Sequence, residues 1–95
     1  MKEIILSGAG WRTDEDFYNA FLEAVGAPGW HGHNLDALYD SISCDDINKL
    51  ETPYRVRISG VSSMSAEARQ MVESFEKLVA EMRKEGIEVS VVCEP

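Results

Sequence analysis

Two carboxylates, Asp36 and Asp40, have the spacing in this chain that best suits recognition of a charged partner. Residues four apart on an α-helix lie on one face, so both acids project together from a helix that begins at Leu35. Trp30 and Tyr39 flank the pair, and exposed aromatic side chains are common anchors in protein interfaces. We therefore expect this face to bind a positively charged group, and the alternative is an ordinary solvated helix face.

A loop followed by a short helix is predicted to position these residues. Pro28, Gly29 and Gly32 favour a loop, and Asn34 is a favourable N-cap for a helix from Leu35. Within the helix, apolar side chains recur at i, i+3 and i+7, the spacing of a buried stripe: Leu35, Leu38 and Ile42. The acidic pair falls on the opposite side, so this segment should present its charges to solvent.

Metal binding and catalysis are the other chemistries that this cluster could support. His31, His33, Asp36, Asp40 and Cys44 are all possible zinc ligands, but they lack the Cys-x-x-Cys or His-Glu-x-x-His spacing of common sites. The two aspartates could act as an acid–base pair, yet a convex helix face offers no deep cleft for such catalysis. No nucleophile elbow, phosphate loop or dinucleotide fingerprint occurs in the sequence. We predict no metal, no cofactor and no enzymatic activity.

The charge balance narrows the class of partner. Seventeen acidic residues against nine basic ones give a formal net charge of −8. Such a chain repels nucleic acid phosphates, which argues against direct binding of DNA or RNA. It attracts a cationic protein and accelerates the encounter with it. The alternative is that the charge serves solubility alone.

The order of elements predicts an α/β protein with one domain over residues 1–95. Segments 3–7, 54–58 and 87–93 are predicted strands, and the first of them is expected to be a buried strand. Thr13 and Ser65 are predicted N-caps of two further helices. Since the strands are separated by helices, they should pair in parallel through right-handed crossovers.

Cysteine usage and the absence of targeting segments predict a cytoplasmic protein. No apolar run is long enough for a membrane helix, and no secretory leader follows Met1. Cys44 and Cys93 are too few for a disulfide framework, so we expect two small apolar side chains in a reducing compartment.

One segment carries a specific family signature. Residues 32–40 have the pattern Gly-x-Asn-Leu-Asp-Ala-Leu-aromatic-Asp, with Trp30 before it. Near the end of the chain, Glu81, Glu85 and Gly86 lead into an apolar run. In these motifs, in length and in element order, nearly the whole chain resembles the barstar family, the intracellular inhibitors of secreted bacterial ribonucleases of the barnase type.

The resemblance implies a fold and a mode of action. The fold would be a two-layer α/β structure, with a three-stranded parallel sheet and helices packed mainly on one side. The protein would be a monomer when free, and would act as the cytosolic immunity partner of a basic bacterial ribonuclease of the barnase or guanyl-specific type. It would block the active site in a 1:1 complex, with no cofactor and no membrane attachment.

The resemblance also implies roles for individual residues. Asp40 would occupy the ribonuclease's phosphate site and accept hydrogen bonds from the arginines and histidine there, and Asp36 would bind a second cation at the rim. Trp30 would lie against the catalytic histidine or the base pocket, although a core position remains its alternative. Glu81 would reach a basic residue of the enzyme, or be an ordinary surface glutamate. The full set of predicted partner-binding residues is Trp30, His31, Gly32, His33, Asn34, Asp36, Tyr39, Asp40, Ser43, Cys44 and Glu81.

The chain departs from the family pattern at several positions. Tyr39 replaces the usual tryptophan and keeps a stacking role, His33 stands where the best-known relative has a glutamate, and Asp45 stands where that relative has an aromatic contact. The segment 43–53 does not match well. These departures support a second hypothesis, an acidic adaptor that uses the same face on a different basic protein.

Overall fold

Helices and parallel strands alternate along the chain, as the sequence predicts. The computed structural model describes residues 2–44 and 47–95. In these residues the elements, in chain order, are β1 (Lys2–Ser7), α1 (Asp14–Ala24), α2 (Leu35–Ser43), β2 (Tyr54–Ser59), a short 3₁₀ turn (Val61–Ser63), α3 (Ala66–Lys84) and β3 (Val89–Cys93).

The three strands form one parallel sheet in the order β1-β2-β3. Both crossovers contain helices, α1 and α2 between β1 and β2, and α3 between β2 and β3. The predicted parallel sheet is therefore confirmed. The predicted start of the last strand at residue 87 is wrong, because the backbone N–H of Ile87 donates to Met82 O and closes the end of α3. The strand begins only at Val89.

Burial alternates along the strands, so the helices cover one face of the sheet. On β2 the side chains of Tyr54, Val56 and Ile58 are buried. The prediction that β1 is a buried strand is wrong, because only Ile4 and Leu6 are buried and Ile5 is 68% exposed on the opposite face. Arg57 lies on this open face and forms ion pairs with Glu3 of β1 and with Glu94 of the C-terminal segment.

The core between the sheet and the helices is centred on aromatic rings. Phe75 of α3 lies with its ring centroid 4.9 Å from that of Phe17 and 5.3 Å from that of Phe21, both on α1. All three side chains are fully buried. This cluster joins α1 to α3, and these helices together with the sheet provide the frame on which α2 is held.

The outer surfaces of the helices are strongly polar. α3 extends over 19 residues, yet its outward positions carry acidic and basic side chains. Within the described parts of the chain, none of the helices combines the length and the apolar character needed to span a bilayer.

Candidate functional site

The acidic helix forms as its sequence predicts. The side chain of Asn34 accepts a hydrogen bond from the backbone N–H of Ala37 at 2.8 Å, which satisfies one of the free donors in the first turn. Leu38 and Ile42 are buried. The acidic pair, Asp36 and Asp40, is exposed on the other side. Burial of the apolar stripe thus fixes the direction in which the two carboxylates point.

A tight turn presents Trp30 to solvent. The backbone N–H of His31 donates to Pro28 O at 3.0 Å, so Gly29 and Trp30 occupy the middle of the turn. The indole is 76% exposed, which excludes the alternative of a core tryptophan. A large exposed aromatic ring on a rigid turn can contribute much buried area to an interface at small entropic cost.

A small cavity lies between this turn and α2. Its volume is about 170 Å³. One exposed carboxylate, that of Asp40, contributes to its lining. The other lining residues are mostly apolar or small: Trp30, His31, Gly32, Ala37, Ser41 and Ile47. The structure therefore places the predicted aromatic anchor and the predicted anion on the border of one concave surface.

Gly32 allows the loop to pass close to the start of α2. A Cβ atom at this position would lie 2.9 Å from Asn34 Nδ2 and 3.4 Å from the Cβ of Ala37. Any larger residue would have to displace the side chain that caps the helix. The role of Gly32 in the site is thus to bring backbone, cap and helix together.

His31 lines the cavity but is almost fully buried. Its side chain is buried, with Nδ1 2.7 Å from Gly32 O and Nε2 2.8 Å from the hydroxyl of Ser41. Both ring nitrogens are thus occupied within the protein. The sequence did not single out Ser41, because it is ten positions from His31 and only the packing of the loop on α2 brings them together.

His33 connects the loop to α1. Its Nδ1 lies 2.9 Å from Oε1 of Glu15, and its ring stacks on that of Tyr18 at a centroid distance of 5.6 Å. Burial raises the pKa of Tyr18, and the negative charges of Asp14 and Glu15 raise it further. Contacts with α1 thus hold His33 in position, and its imidazole is the hydrogen-bond partner of the Glu15 carboxylate.

Tyr39 connects α2 to the C-terminal end of α3. Its hydroxyl donates a hydrogen bond to Oε1 of Glu85 at 2.5 Å, and this bond is the main cause that raises the pKa of Tyr39. Glu81, one turn earlier on α3, lies on the same face as Glu85. It is exposed and pairs with Lys84 at 3.3 Å. Sequence spacing gave no sign that Glu85 would contact Tyr39.

The end of α2 carries the remaining predicted residues. The hydroxyl of Ser43 donates to Tyr39 O at 2.6 Å, which leaves this side chain turned toward its own helix. Cys44 is the C-cap residue and is exposed. Both Cys44 and Cys93 are free thiols. The predicted role of Asp45 lies outside the described residues.

The two histidines that were possible zinc ligands have partners within the protein. Over residues 2–44 and 47–95, no three His, Cys, Asp or Glu side chains come together as metal ligands would. His31 is occupied by Gly32 and Ser41, and His33 by Glu15. The arrangement is suited to binding through an aromatic ring and free carboxylates.

Comparison with known proteins identifies the family of the chain. A search of curated proteins found no match. A family model described as Barstar (barnase inhibitor) matches residues 1–94. The match covers essentially the whole chain and includes every element described above. The chain therefore belongs to the barstar family.

Proposed function

We propose that this protein is a stoichiometric inhibitor of a bacterial ribonuclease of the barnase or related guanyl-specific type. The observation that carries the proposal is the exposed Trp30 indole beside the exposed Asp40 carboxylate, on the border of one small cavity. Membership of the barstar family, whose members are inhibitors and not enzymes, supports this interpretation of the surface.

Asp40 would replace an RNA phosphate in the enzyme's active site. A planar carboxylate has two oxygens that accept paired N–H donors from a guanidinium group, so it suits a site that binds phosphate oxygens. Among the described residues, no basic side chain pairs with Asp40 or Asp36. Both carboxylates are therefore available to the cations of a partner.

Acids from two helices would surround this central contact. Asp36 precedes Asp40 by one turn of α2, while Glu81 and Glu85 belong to the end of α3, which the Tyr39 hydrogen bond joins to α2. Together with the net charge of −8, these acids would steer a basic enzyme toward the site and accelerate association.

The remaining features of the proposal follow from this mechanism. The protein would act as a single domain, monomeric when free, in a 1:1 complex in the bacterial cytoplasm. It would need no cofactor, and it would make no direct contact with nucleic acid. It would thus protect the producing cell from its own secreted ribonuclease.

The test is RNA cleavage by barnase-type and other guanyl-specific ribonucleases, titrated with the protein. We expect complete inhibition at one equivalent by the wild type and loss of this inhibition in Asp40→Ala. Glu73→Ala is the matched control, because it removes the same charge from the exposed middle of α3, about 18 Å along the helix axis from Glu85. If the wild type inhibits none of these enzymes, the proposal fails, and the adaptor hypothesis with another basic partner replaces it.

A further inference from the structure

We propose that the buried hydrogen bond between His31 and Ser41 is a positioning device for the binding surface. It holds the Trp30 turn against α2, so that the indole of Trp30 and the carboxylate of Asp40 keep a fixed arrangement before any partner arrives. His31 and Ser41 are positioning residues in this view, because they act through the turn and the helix that they join. The identity of the partner in this inference rests on the proposed function. The order of the loop in the free protein does not depend on it.

The bond joins the immediate neighbours of the two exposed groups. His31 follows Trp30, and Ser41 follows Asp40. Nε2 of His31 lies 2.8 Å from the hydroxyl oxygen of Ser41, and the side chains are only 6% and 5% exposed. A contact closed to water at this point fixes the separation of the turn from the helix, and hence the width of the cavity between them.

Each ring nitrogen of His31 has a partner. Gly32 O accepts only, so Nδ1 of His31, 2.7 Å away, must carry a proton. Nε2 lies 2.8 Å from the hydroxyl oxygen of Ser41, and this hydroxyl also lies 3.3 Å from the backbone oxygen of Leu38. Removing the Ser41 hydroxyl would leave a buried ring nitrogen without a partner, which is more costly than the loss of an exposed hydrogen bond.

In residues 2–44 and 47–95, the other hydrogen bonds at the turn and just after it have different functions from the His31–Ser41 bond. Within the turn, the backbone bond from His31 to Pro28 shapes it but does not attach it to α2. The bond of His33 to Glu15 attaches the loop to α1, at an exposed position and beyond Gly32. The His31–Ser41 bond is thus the buried side-chain link from the turn to the helix that bears Asp40.

A fixed surface improves binding because less order has to be created in the complex. Immobilising one flexible interface side chain costs about 0.5–1.5 kcal/mol, which corresponds to roughly 2- to 12-fold in affinity. If the turn were mobile, Trp30 and its backbone would have to be ordered at the moment of association. Because the buried bond orders the turn when the free protein folds, this cost does not arise on binding.

The first measurement follows the motion of Trp30 without any partner. In a Trp11→Phe background, time-resolved fluorescence anisotropy reports on Trp30 alone. We expect the amplitude of the fast depolarisation of Trp30 fluorescence to be larger in Ser41→Ala than in the parent protein. Ser43→Ala is the control for this readout, since it removes the same group from the same helix but its hydroxyl bonds backbone oxygens of α2 and lies 4.0 Å from the sulfur of Cys44, not beside His31. Unchanged anisotropy in Ser41→Ala would overturn the proposal.

The second measurement is the rate of dissociation from the inhibited ribonuclease. We expect Ser41→Ala to dissociate roughly 2- to 12-fold faster than the wild type. Ile58→Val, a conservative core substitution in β2, controls for loss of stability alone and should leave the rate unchanged. A mobile Trp30 combined with unchanged dissociation would refute the link between loop order and binding.

The two proposals fail in different ways. If Trp30 becomes mobile in Ser41→Ala while the wild type binds no ribonuclease, the proposed function is wrong and the positioning of the turn stands. If the wild type inhibits but Trp30 is equally ordered in both proteins, the positioning role is wrong. Should Ser41→Ala not fold, Ser41→Cys retains a weak donor, and we expect it to show intermediate mobility; unchanged mobility there would also refute the proposal.

Discussion

The hydroxyl of Tyr39 donates a hydrogen bond to the carboxylate of Glu85, which lies 46 positions later in the chain. This bond joins the middle of α2 to the C-terminal end of α3. Two helices that are distant in the sequence are thereby joined. Each of the following predictions tests a contribution to the proposed binding surface or to the frame behind it.

Asp40→Ala should weaken the ribonuclease complex at least as much as Asp36→Ala. Removing one partner of a desolvated charge pair costs about 2–5 kcal/mol or more, and this range is taken from complexes that include barnase–barstar, of this same family. Isothermal titration calorimetry measures both variants against the wild type. Equal affinity of the wild type and Asp40→Ala would contradict the proposed mechanism.

Substitution of the exposed tryptophan should weaken binding, whereas substitution of the buried tryptophan should lower stability. Trp30 is 76% exposed, so Trp30→Ala should change the free energy of unfolding by no more than about 0.5 kcal/mol. The same change should weaken the complex by about 2 kcal/mol or more, as for a central aromatic anchor. Trp11→Ala is the converse control, because Trp11 is only 9% exposed and packs on Phe17. Urea denaturation should show a loss of about 3–5 kcal/mol for it.

Glu85→Gln should lower the pKa of Tyr39 toward its ordinary value of 10.0, because the hydrogen bond to Glu85 is the main cause of the raised pKa. A pKa that is higher in the folded than in the unfolded state stabilises the protein below the unfolded value. That contribution is lost as the pH rises through the folded value. The wild type should therefore lose stability above about pH 10 more steeply than Glu85→Gln.

An NMR titration of the Tyr39 ring carbon measures this pKa, and thermal unfolding between about pH 8 and pH 11 measures the stability on both sides of the ordinary tyrosine pKa. Glu81→Gln serves as the control, since it removes a carboxylate one turn earlier that accepts its hydrogen bond from Lys84. The assigned bond is refuted if both variants shift the pKa of Tyr39 equally.

The two thiols should react at very different rates. Burial, together with the nearby carboxylate of Glu76, raises the pKa of Cys93 to about 11. Since the thiolate is the nucleophile, Cys93 should be almost unreactive at neutral pH. Cys44 is exposed, so iodoacetamide at about pH 7.5 should modify one thiol rapidly. Mass spectrometry should locate the label on Cys44, and rapid labelling that persists in Cys44→Ser would contradict the assignment.

Local patterns were sufficient to predict the helices and the outward face of α2, but not the start of β3 or the exposed face of β1. The spacing of Leu38 and Ile42 indicated which side of α2 is buried, and therefore that Asp36 and Asp40 face solvent. Asn34 marked the start of the helix through a cap that bonds only three residues ahead. These properties depend on interactions within one or two helical turns, so the order of residue types determines them. The family signature in residues 32–40 added the expected fold.

The arrangement of the site was decided by tertiary packing. The sequence did not predict that His31 is buried against Ser41, that His33 pairs with Glu15, or that Tyr39 bonds Glu85. These contacts form between separate elements, and their geometry depends on how the loop and helices pack on the common core. Periodicity describes only how one element faces that core, whereas the partner across an interface is set by the positions of both elements. The sequence alone thus determined which groups are available to bind, and the tertiary structure decided which of them form one surface.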